Sequence, residues 1–203
     1  MRYFFLIITF GLLASTVVNG QNSQEAFKSY NELKAGVLLI RLEDYSRAIE
    51  KLEDLGHYNR IAQLEEQSKS EAEEIINDFK NSYFFSDYAF FYAKDIDNVL
   101  DNSMTEFIDT SGNKVKIASG IPKFICKKEI LNYTSGSFNK YYHLYGIKSD
   151  AIYRIPKPFK TDYRIPFFIR LFNKDQYANE AEYLNYALTK EFEKYNKRVN
   201  RDN

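Results

Sequence analysis

The chain has 203 residues with 28 basic and 28 acidic side chains, and 44% of its residues are hydrophobic. A mean hydropathy of −0.49 excludes a polytopic membrane protein. Seventeen tyrosines and seventeen phenylalanines, against four prolines and eight glycines, exclude a mostly disordered or collagen-like chain. The single cysteine excludes an internal disulfide framework and an all-thiolate metal site. These values predict one globular domain with a buried core.

Residues 1–20 have the pattern of a secretory signal peptide. Arg2 supplies a positive charge, Phe4 to Ala14 form an apolar run, and Val18 and Gly20 supply the small side chains of a cleavage site. The run is too short for a membrane-spanning helix, which needs about 20 residues. We therefore expect an exported chain, periplasmic or secreted, with a single α/β domain over residues 21–203. An uncleaved N-terminal anchor is the alternative.

The next predicted elements are a strand and a helical hairpin. Residues 21–35 form a short helix or an ordered arm, and Val37 to Ile40 read as a buried strand. Asp44 can cap a helix that Gly56 ends, and a second helix runs from about Tyr58 to Phe79. The apolar stripe of the second helix consists of Ile61, Leu64, Ser68, Ala72, Ile75 and Phe79. The glutamates expected on its solvent side are Glu65, Glu66, Glu73 and Glu74.

The second half of the chain has weaker patterns. A β-prone segment covers residues 88–93, and Asp95 can cap a short helix from Ile96 to Leu100. We expect an irregular insert at about 105–148, with a hairpin across residues 111–113, a strand near Lys123 to Cys126, and then tyrosine-rich loops. Residues 151–155 and 166–172 suit an antiparallel strand pair. A last helix from about Asp175 to Val199 follows, and its apolar face contains Ala181, Leu184, Leu188, Phe192, Tyr195 and Val199.

This order predicts an α/β fold: a mixed four- to five-stranded sheet with a helical hairpin after the first strand and a C-terminal helix. A strand–helix–strand start requires a parallel strand pair with a right-handed crossover. The arrangement resembles the topology of thioredoxin-like folds. The chain has no C-x-x-C motif, however, and Ser149-Asp150 stands where such folds place a proline. The resemblance therefore implies no dithiol chemistry.

The chain also resembles a group of uncharacterised secreted bacterial proteins. The matching features are an L-L-x-R-L strand at Leu38 to Leu42, the charged helical hairpin, the aromatic run from Phe90 to Ala93, and the segment from Pro166 to Arg170 before a C-terminal helix. This resemblance implies export and one domain, and it implies no activity.

Few residues offer catalytic or metal chemistry. His57 and His143 are the only histidines, and their separation does not fit a zinc-binding motif. A nucleophilic pair of Cys126 and His143 is conceivable, because Lys127 and Lys128 can lower the pKa of a thiol. The apolar residues before Cys126 favour a buried thiol instead. No phosphate-binding or dinucleotide motif occurs, so we expect no cofactor and no metal.

Charge is distributed unevenly along the chain. Residues 41–110 carry 17 acids and 7 bases, whereas residues 111–174 carry 13 bases, 3 acids and twelve aromatic residues. Packing of the two parts against each other is one explanation. Association with another subunit or partner is a second, and recognition of an anionic envelope component is a third. A net charge of zero and the export signal argue against nucleic acid as the ligand.

A repeated tetrapeptide lies in the basic part. Tyr153-Arg154-Ile155-Pro156 recurs as Tyr163-Arg164-Ile165-Pro166, near opposite ends of the predicted strand pair. Tyrosine beside arginine suits a carboxylate, phosphate or sugar, and chance repetition is the alternative. The candidate binding residues are Tyr153, Arg154, Tyr163, Arg164 and Arg170.

The sequence favours an exported, non-catalytic binding protein of the cell envelope or secreted fraction. The basic, aromatic strand pair around Tyr153 to Arg170 is its first contact surface, and the acidic helical hairpin is its second. An unknown protein, an anionic envelope component or a second copy of the chain would be the partner. The alternative is a hydrolase that uses carboxylates with tyrosine or arginine in a cleft. An enzyme should hold a carboxylate of raised pKa in a pocket, and a binding protein should expose apolar surface.

Overall fold

The computed structural model describes residues 27–104, 106–132, 138–148, 151–153, 162–163 and 179–199. In these residues the chain forms one mixed sheet with helices packed on both faces. This confirms the predicted α/β class, the helical hairpin after the first strand and the C-terminal helix. The predicted signal peptide lies outside the described residues.

The helices are α1 (27–35), α2 (Ser46–Asp54), α3 (Tyr58–Ser82), α4 (Ile96–Leu100) and α5 (Glu180–Val199), and a 3-10 turn covers Ala93–Asp95. The strands are β1 (Val37–Leu42), β2 (Asp87–Tyr92), β3 (Phe107–Ile108), β4 (Lys114–Val115), β5 (Lys123–Asn132), β6 (Phe138–Lys148), β7 (Ala151–Tyr153) and β8 (Asp162–Tyr163).

The sheet has the strand order β4-β3-β2-β1-β5-β6-β7, and β8 also pairs with β6. Central β1 is parallel to β2 and β5, as expected for β1 and β2, and the other pairs are antiparallel. Eight strands occur in the described part of the chain, more than the four to five predicted. The short β3 and β4 form the hairpin predicted across residues 111–113.

Strand β6 is the main element that the sequence did not reveal. The tyrosine-rich loops expected after Cys126 are instead a long antiparallel pair in which β5 runs to Asn132 and β6 covers Phe138–Lys148. The predicted irregular insert at 105–148 therefore supplies β3, β4, β5 and β6. Aromatic residues on both faces of β6 hid the alternation by which strands are recognised in a sequence.

The late strands make pairings that the sequence did not predict. Strand β7 pairs with the end of β6, from Gly146 to Lys148, and its predicted hairpin with residues 166–172 stays a prediction. Strand β8 pairs with Tyr142 and His143 of β6. Because β5 occupies the other edge of β6 from Phe138 to Gly146, β7 and β8 lie in line along one edge and run in the same direction. Residues 166–172 lie outside the described part.

The two faces of the sheet bury separate apolar clusters. On one face α1, α3 and α5 pack against β1, β2, β5 and β6, and Phe79, Leu38 and Leu184 are fully buried there. The predicted stripe of α3 faces this core, since Ile61, Ala72, Ile75 and Phe79 are all buried. The opposite face contains Leu39 and Phe91 under the short helix α4. The four glutamates expected on the solvent side of α3 are all exposed.

The turn between α2 and α3 has the geometry that Gly56 predicts. Gly56 has a φ of 69°, its amide donates to the Glu53 carbonyl at 3.0 Å, and the His57 amide donates to the Leu52 carbonyl at 2.9 Å. These two bonds satisfy carbonyls at the end of α2 and complete a Schellman motif. His57 is exposed at this turn.

Two other helix starts differ from the sequence prediction. Asp95 belongs to the 3-10 turn before α4 and makes no side-chain capping bond, so its predicted capping role is wrong. The start predicted for the last helix at Asp175 lies outside the described residues. In the described chain, Asn179 caps α5, because its side-chain oxygen accepts the Glu182 amide at 2.9 Å.

Candidate functional site

The structure describes the backbone of two of the five predicted binding residues. Tyr153 in β7 lies opposite Gly146, and Tyr163 in β8 lies opposite Tyr142. Their strands follow each other along one edge of β6, so the two are not at opposite ends of a hairpin. Arg154, Arg164 and Arg170 lie outside the described residues, and the patch stays a prediction.

The conceivable nucleophilic pair of Cys126 and His143 is wrong. In the register of β5 and β6, Cys126 lies opposite Leu144, whereas His143 lies opposite Lys127. Neighbouring residues of a strand point to opposite faces, so the thiol and the imidazole are separated by the sheet. Cys126 is buried in the core under α3, as expected, and this burial raises the pKa of its thiol. Such a thiol is a poor nucleophile.

His143 instead belongs to a polar group on the other face, which we call the sheet-face cluster. It consists of Arg41, Lys127, Glu129, Tyr141, His143 and Tyr145. Arg41 lies opposite Lys127 on the neighbouring strand, and Lys127 lies opposite His143. A row of three basic groups therefore crosses β1, β5 and β6. The ring of buried His143 stacks on Tyr145 with 4.4 Å between centroids.

Glu129 is the hydrogen-bonded centre of the sheet-face cluster. Its carboxylate accepts the Tyr141 hydroxyl at 2.8 Å and the Tyr145 hydroxyl at 3.1 Å, and Lys127 Nζ lies 3.5 Å away. Burial acts to raise the pKa of Glu129, but these hydroxyl donors, Lys127 and His143 hold it below its usual value. The cluster therefore keeps Glu129 ionised, as an acceptor of hydrogen bonds rather than an acid.

The pKa values of other carboxyl groups are also displaced downward. Five carboxyl groups have a pKa displaced downward, by hydrogen bonds or a nearby lysine. These groups are Asp44, Asp101, Glu106, Asp109 and Glu129. None of these five groups has the raised pKa expected of a catalytic acid.

A second site, which we call the hairpin cleft, lies at the carboxyl ends of β1 and β2 between α2 and α3. Its volume is about 540 Å³, within the range of ligand sites. The apolar lining consists of Ile49, Ala72, Ile76 and Tyr92. The acidic lining consists of Asp44, Glu50, Glu53, Glu65 and Glu73, against the two bases Lys69 and Lys94. Successive turns of the two helices thus face each other across the cleft.

The base of the cleft is fixed by hydrogen bonds at the start of α2. The Asp44 carboxylate accepts the amides of Ser46 and Lys94, each at 3.1 Å, and so ties α2 to the end of β2. The N-cap residue of α2 is Tyr45, which makes no side-chain capping bond, so the predicted cap at Asp44 is wrong. Tyr45 has a φ of 52°, which is uncommon for a residue with a side chain. Its hydroxyl donates to Glu71 at 2.8 Å and accepts from Gln67 at 3.1 Å, which holds this conformation against α3. Burial, and then the Glu71 carboxylate, raise the pKa of Tyr45 to about 12.

Removal of the Asp44 carboxylate should loosen this base. We expect Asp44→Ala to lower the free energy of unfolding by about 1 kcal/mol, the usual net contribution of a hydrogen bond, whereas exposed Asp54→Ala should change it by no more than about 0.5 kcal/mol. Burial opposes the shift, but the Ser46 and Lys94 amides place the folded pKa of Asp44 below its usual value of 3.8. The stabilisation is therefore present above that pH and is lost as the pH falls through the folded pKa. Urea unfolding at neutral and acidic pH measures it, and a difference that persists at low pH would contradict this role of the ionised carboxylate.

The glutamates on the two sides of the cleft are not neutralised by the described part of the protein. The side-chain carboxylates of Glu50, Glu53, Glu65 and Glu73 make neither an ion pair nor a hydrogen bond with the described residues. Within the described residues, two ion pairs join the acidic and basic parts of the chain: Lys128 with Glu74 at 2.8 Å and Lys114 with Glu106 at 2.7 Å. Packing of the acidic part against the basic part thus explains some of the uneven charge distribution, but it leaves the cleft acidic.

The hairpin also exposes apolar side chains. Helix α2 buries none of its residues, and its apolar Ile49 and Leu52 are only half-buried. At the turn, Leu55 is 68% exposed and Tyr58 is 72% exposed. Phe84, beyond the other end of α3, is 75% exposed. The hairpin therefore presents an incompletely covered apolar face beside acidic side chains. The hydrophobic spacing of the sequence did not reveal this exposure.

Comparisons with known proteins assign this chain to no family. A scan against family models and searches of curated proteins and solved structures find no match to this chain. Both resemblances drawn from the sequence therefore stay predictions. Among the described residues, no group of three His, Cys, Asp or Glu side chains is placed to hold a metal ion. No helix in the same residues is both long and apolar enough to cross a membrane.

Proposed function

We propose that this chain is an exported, non-catalytic binding protein that contacts a partner through the α2–α3 hairpin. The observation that carries the proposal is the incomplete burial of the hairpin: α2 buries none of its residues, and Leu55 and Tyr58 are exposed at the turn. Large apolar side chains in such positions mark contact surfaces. The hairpin is the leading contact surface of this proposal because its apolar side chains at the turn are exposed, whereas the basic segment stays a prediction from the sequence.

Site-specific photo-crosslinking tests this contact. We expect a crosslinking amino acid at position 58 to give an adduct in the source cells, and the same amino acid at position 84 to give none. The two positions are equally exposed, but helix α3 has 25 residues and separates them by about 37 Å. Leu55→Ser should remove the adduct at position 58. Absence of that adduct, or equal yields at both positions, would contradict the proposal.

A hydrolase of unrecognised family is the second proposal, and the sheet-face cluster favours it. A carboxylate, two tyrosine hydroxyls and an arginine lie on one face of neighbouring strands, and these are the residue types that this alternative names. Against it, Glu129 is held ionised, and its two oxygens accept bonds from Tyr141 and Tyr145. A general acid needs the opposite displacement of its pKa. Binding therefore remains the leading proposal.

A further inference from the structure

We infer that the hairpin cleft binds a basic amphipathic helix of a partner protein. This inference rests on the proposed function and adds the chemistry of the partner. The two walls of the cleft are helical: α2 contributes Ser46, Ile49, Glu50 and Glu53, and α3 contributes residues from Glu65 to Ile76. The α3 wall is about 16 Å long, or about three helical turns. A short helix can lie in such a groove with its apolar side inward.

The apolar lining defines one side of the partner. Ile49 and Ile76 are half-buried from the two helices, and Tyr92 closes the end of the cleft at the sheet. The amphipathic face of α2 is incompletely covered at this point, because the helix buries none of its residues. A partner helix with leucine-like side chains at three- and four-residue spacing would complete the burial of this face.

Charge defines the other side of the partner. Glu50 and Glu53 lie on one wall, and Glu65 and Glu73 lie on the other. Each lacks an ion-pair partner in the described chain, whereas Glu43, Glu74, Glu106, Glu129 and Glu191 each have one. Lysine or arginine beside the apolar residues of a partner would meet both walls, and an acidic segment would be repelled.

A matched pair of double variants tests the inference. The probe is a peptide of about 18 leucine and lysine residues with helical spacing, long enough to form a helix when bound. The control peptide has glutamate in place of lysine. We expect the full chain to bind the lysine peptide only. Glu53→Gln with Glu65→Gln should weaken binding about tenfold, as the loss of two partly exposed ion pairs predicts.

The control variant keeps the same charge change next to the cleft. Asp54→Asn with Glu66→Gln alters exposed acids that are adjacent in sequence but do not line the cleft, so its effect should be no more than about twofold. Equal effects of the two double variants, or equal binding of both peptides, would overturn the inference. These are surface substitutions, and circular dichroism checks that both variants are folded.

Sedimentation of the protein without peptide tests whether a second copy of the chain, rather than a partner protein, fills the cleft. A monomer is the expected result. A dimer that Glu53→Gln with Glu65→Gln dissociates would show that a second copy of the chain fills the cleft, and would overturn the partner inference. If the position 58 adduct forms and the lysine peptide fails to bind, the proposed hairpin contact stands and only the chemistry of the partner is wrong. Absence of the adduct would instead contradict the proposed function.

Discussion

Replacing Phe79 with alanine should lower the free energy of unfolding by about 4 kcal/mol, within the range measured for buried phenylalanines. Phe79 is completely buried on α3 and is surrounded by aromatic rings. Its ring centroid lies 5.2 Å from that of Tyr142, 5.3 Å from that of Tyr83 and 6.2 Å from that of Phe90. These neighbours come from β6, β2 and the end of α3, so they cannot move together to fill the cavity.

Urea unfolding measures this loss as a lower midpoint at unchanged slope. Phe84→Ala is the matched control, since the same side chain is 75% exposed there and its removal should change stability by no more than about 0.5 kcal/mol. If Phe79→Ala is too unstable to purify, Phe79→Leu gives a smaller loss in the same direction. A loss below about 1 kcal/mol for Phe79→Ala would show that α3 does not pack on the sheet as described.

Replacing Gly36 with alanine should cost about 3 kcal/mol, at the upper end of the cost of over-packing. Gly36 lies between α1 and β1, and a Cβ atom there would lie 2.4 Å from the Pro122 carbonyl oxygen and 2.6 Å from the Glu32 carbonyl oxygen. The Pro122 oxygen is fixed because it accepts the Val37 amide at 2.9 Å. Neither backbone oxygen can move without disturbing α1 or the start of β5.

Gly56→Ala separates this clash from a backbone effect. Gly56 has a φ of 69°, but a Cβ atom there would have nothing within 4 Å. Its substitution should therefore cost only the left-handed backbone penalty of about 1 kcal/mol. Thermal unfolding of both variants gives the comparison. Equal losses would contradict a steric role for Gly36.

The helices were the part of the fold that the sequence predicted best. The spacing of Ile61, Ala72, Ile75 and Phe79 identified the buried side of α3, and Gly56 identified the end of α2. These are local signals, because helical spacing and a glycine at a helix end depend on residues only a few positions apart. The capping role of Asp95 was wrong because a 3-10 turn precedes α4.

The two candidate sites could not be assembled from the sequence, because each depends on contacts distant in the chain. Arg41, Lys127 and His143 meet only through the register of three strands, and a shift by one residue would move Lys127 to the opposite face. The alternation of Tyr141, His143 and Tyr145 was the available signal, but buried Tyr142 and Leu144 between them obscured it. The acidic side chains of α3 were correctly predicted to be exposed, yet only the position of α2 shows that Glu65 and Glu73 line a cleft.

Hydrogen exchange of the full chain, alone and saturated with the lysine peptide, tests the binding account most directly. If the peptide binds in the hairpin cleft, we expect slower amide exchange in α2 and in α3 from Tyr58 to about Ile76, with unchanged exchange in β5 and β6. Protection of β5 and β6 instead would assign binding to the sheet-face cluster and favour the hydrolase proposal. Protection in neither place would contradict the hairpin cleft as the binding site.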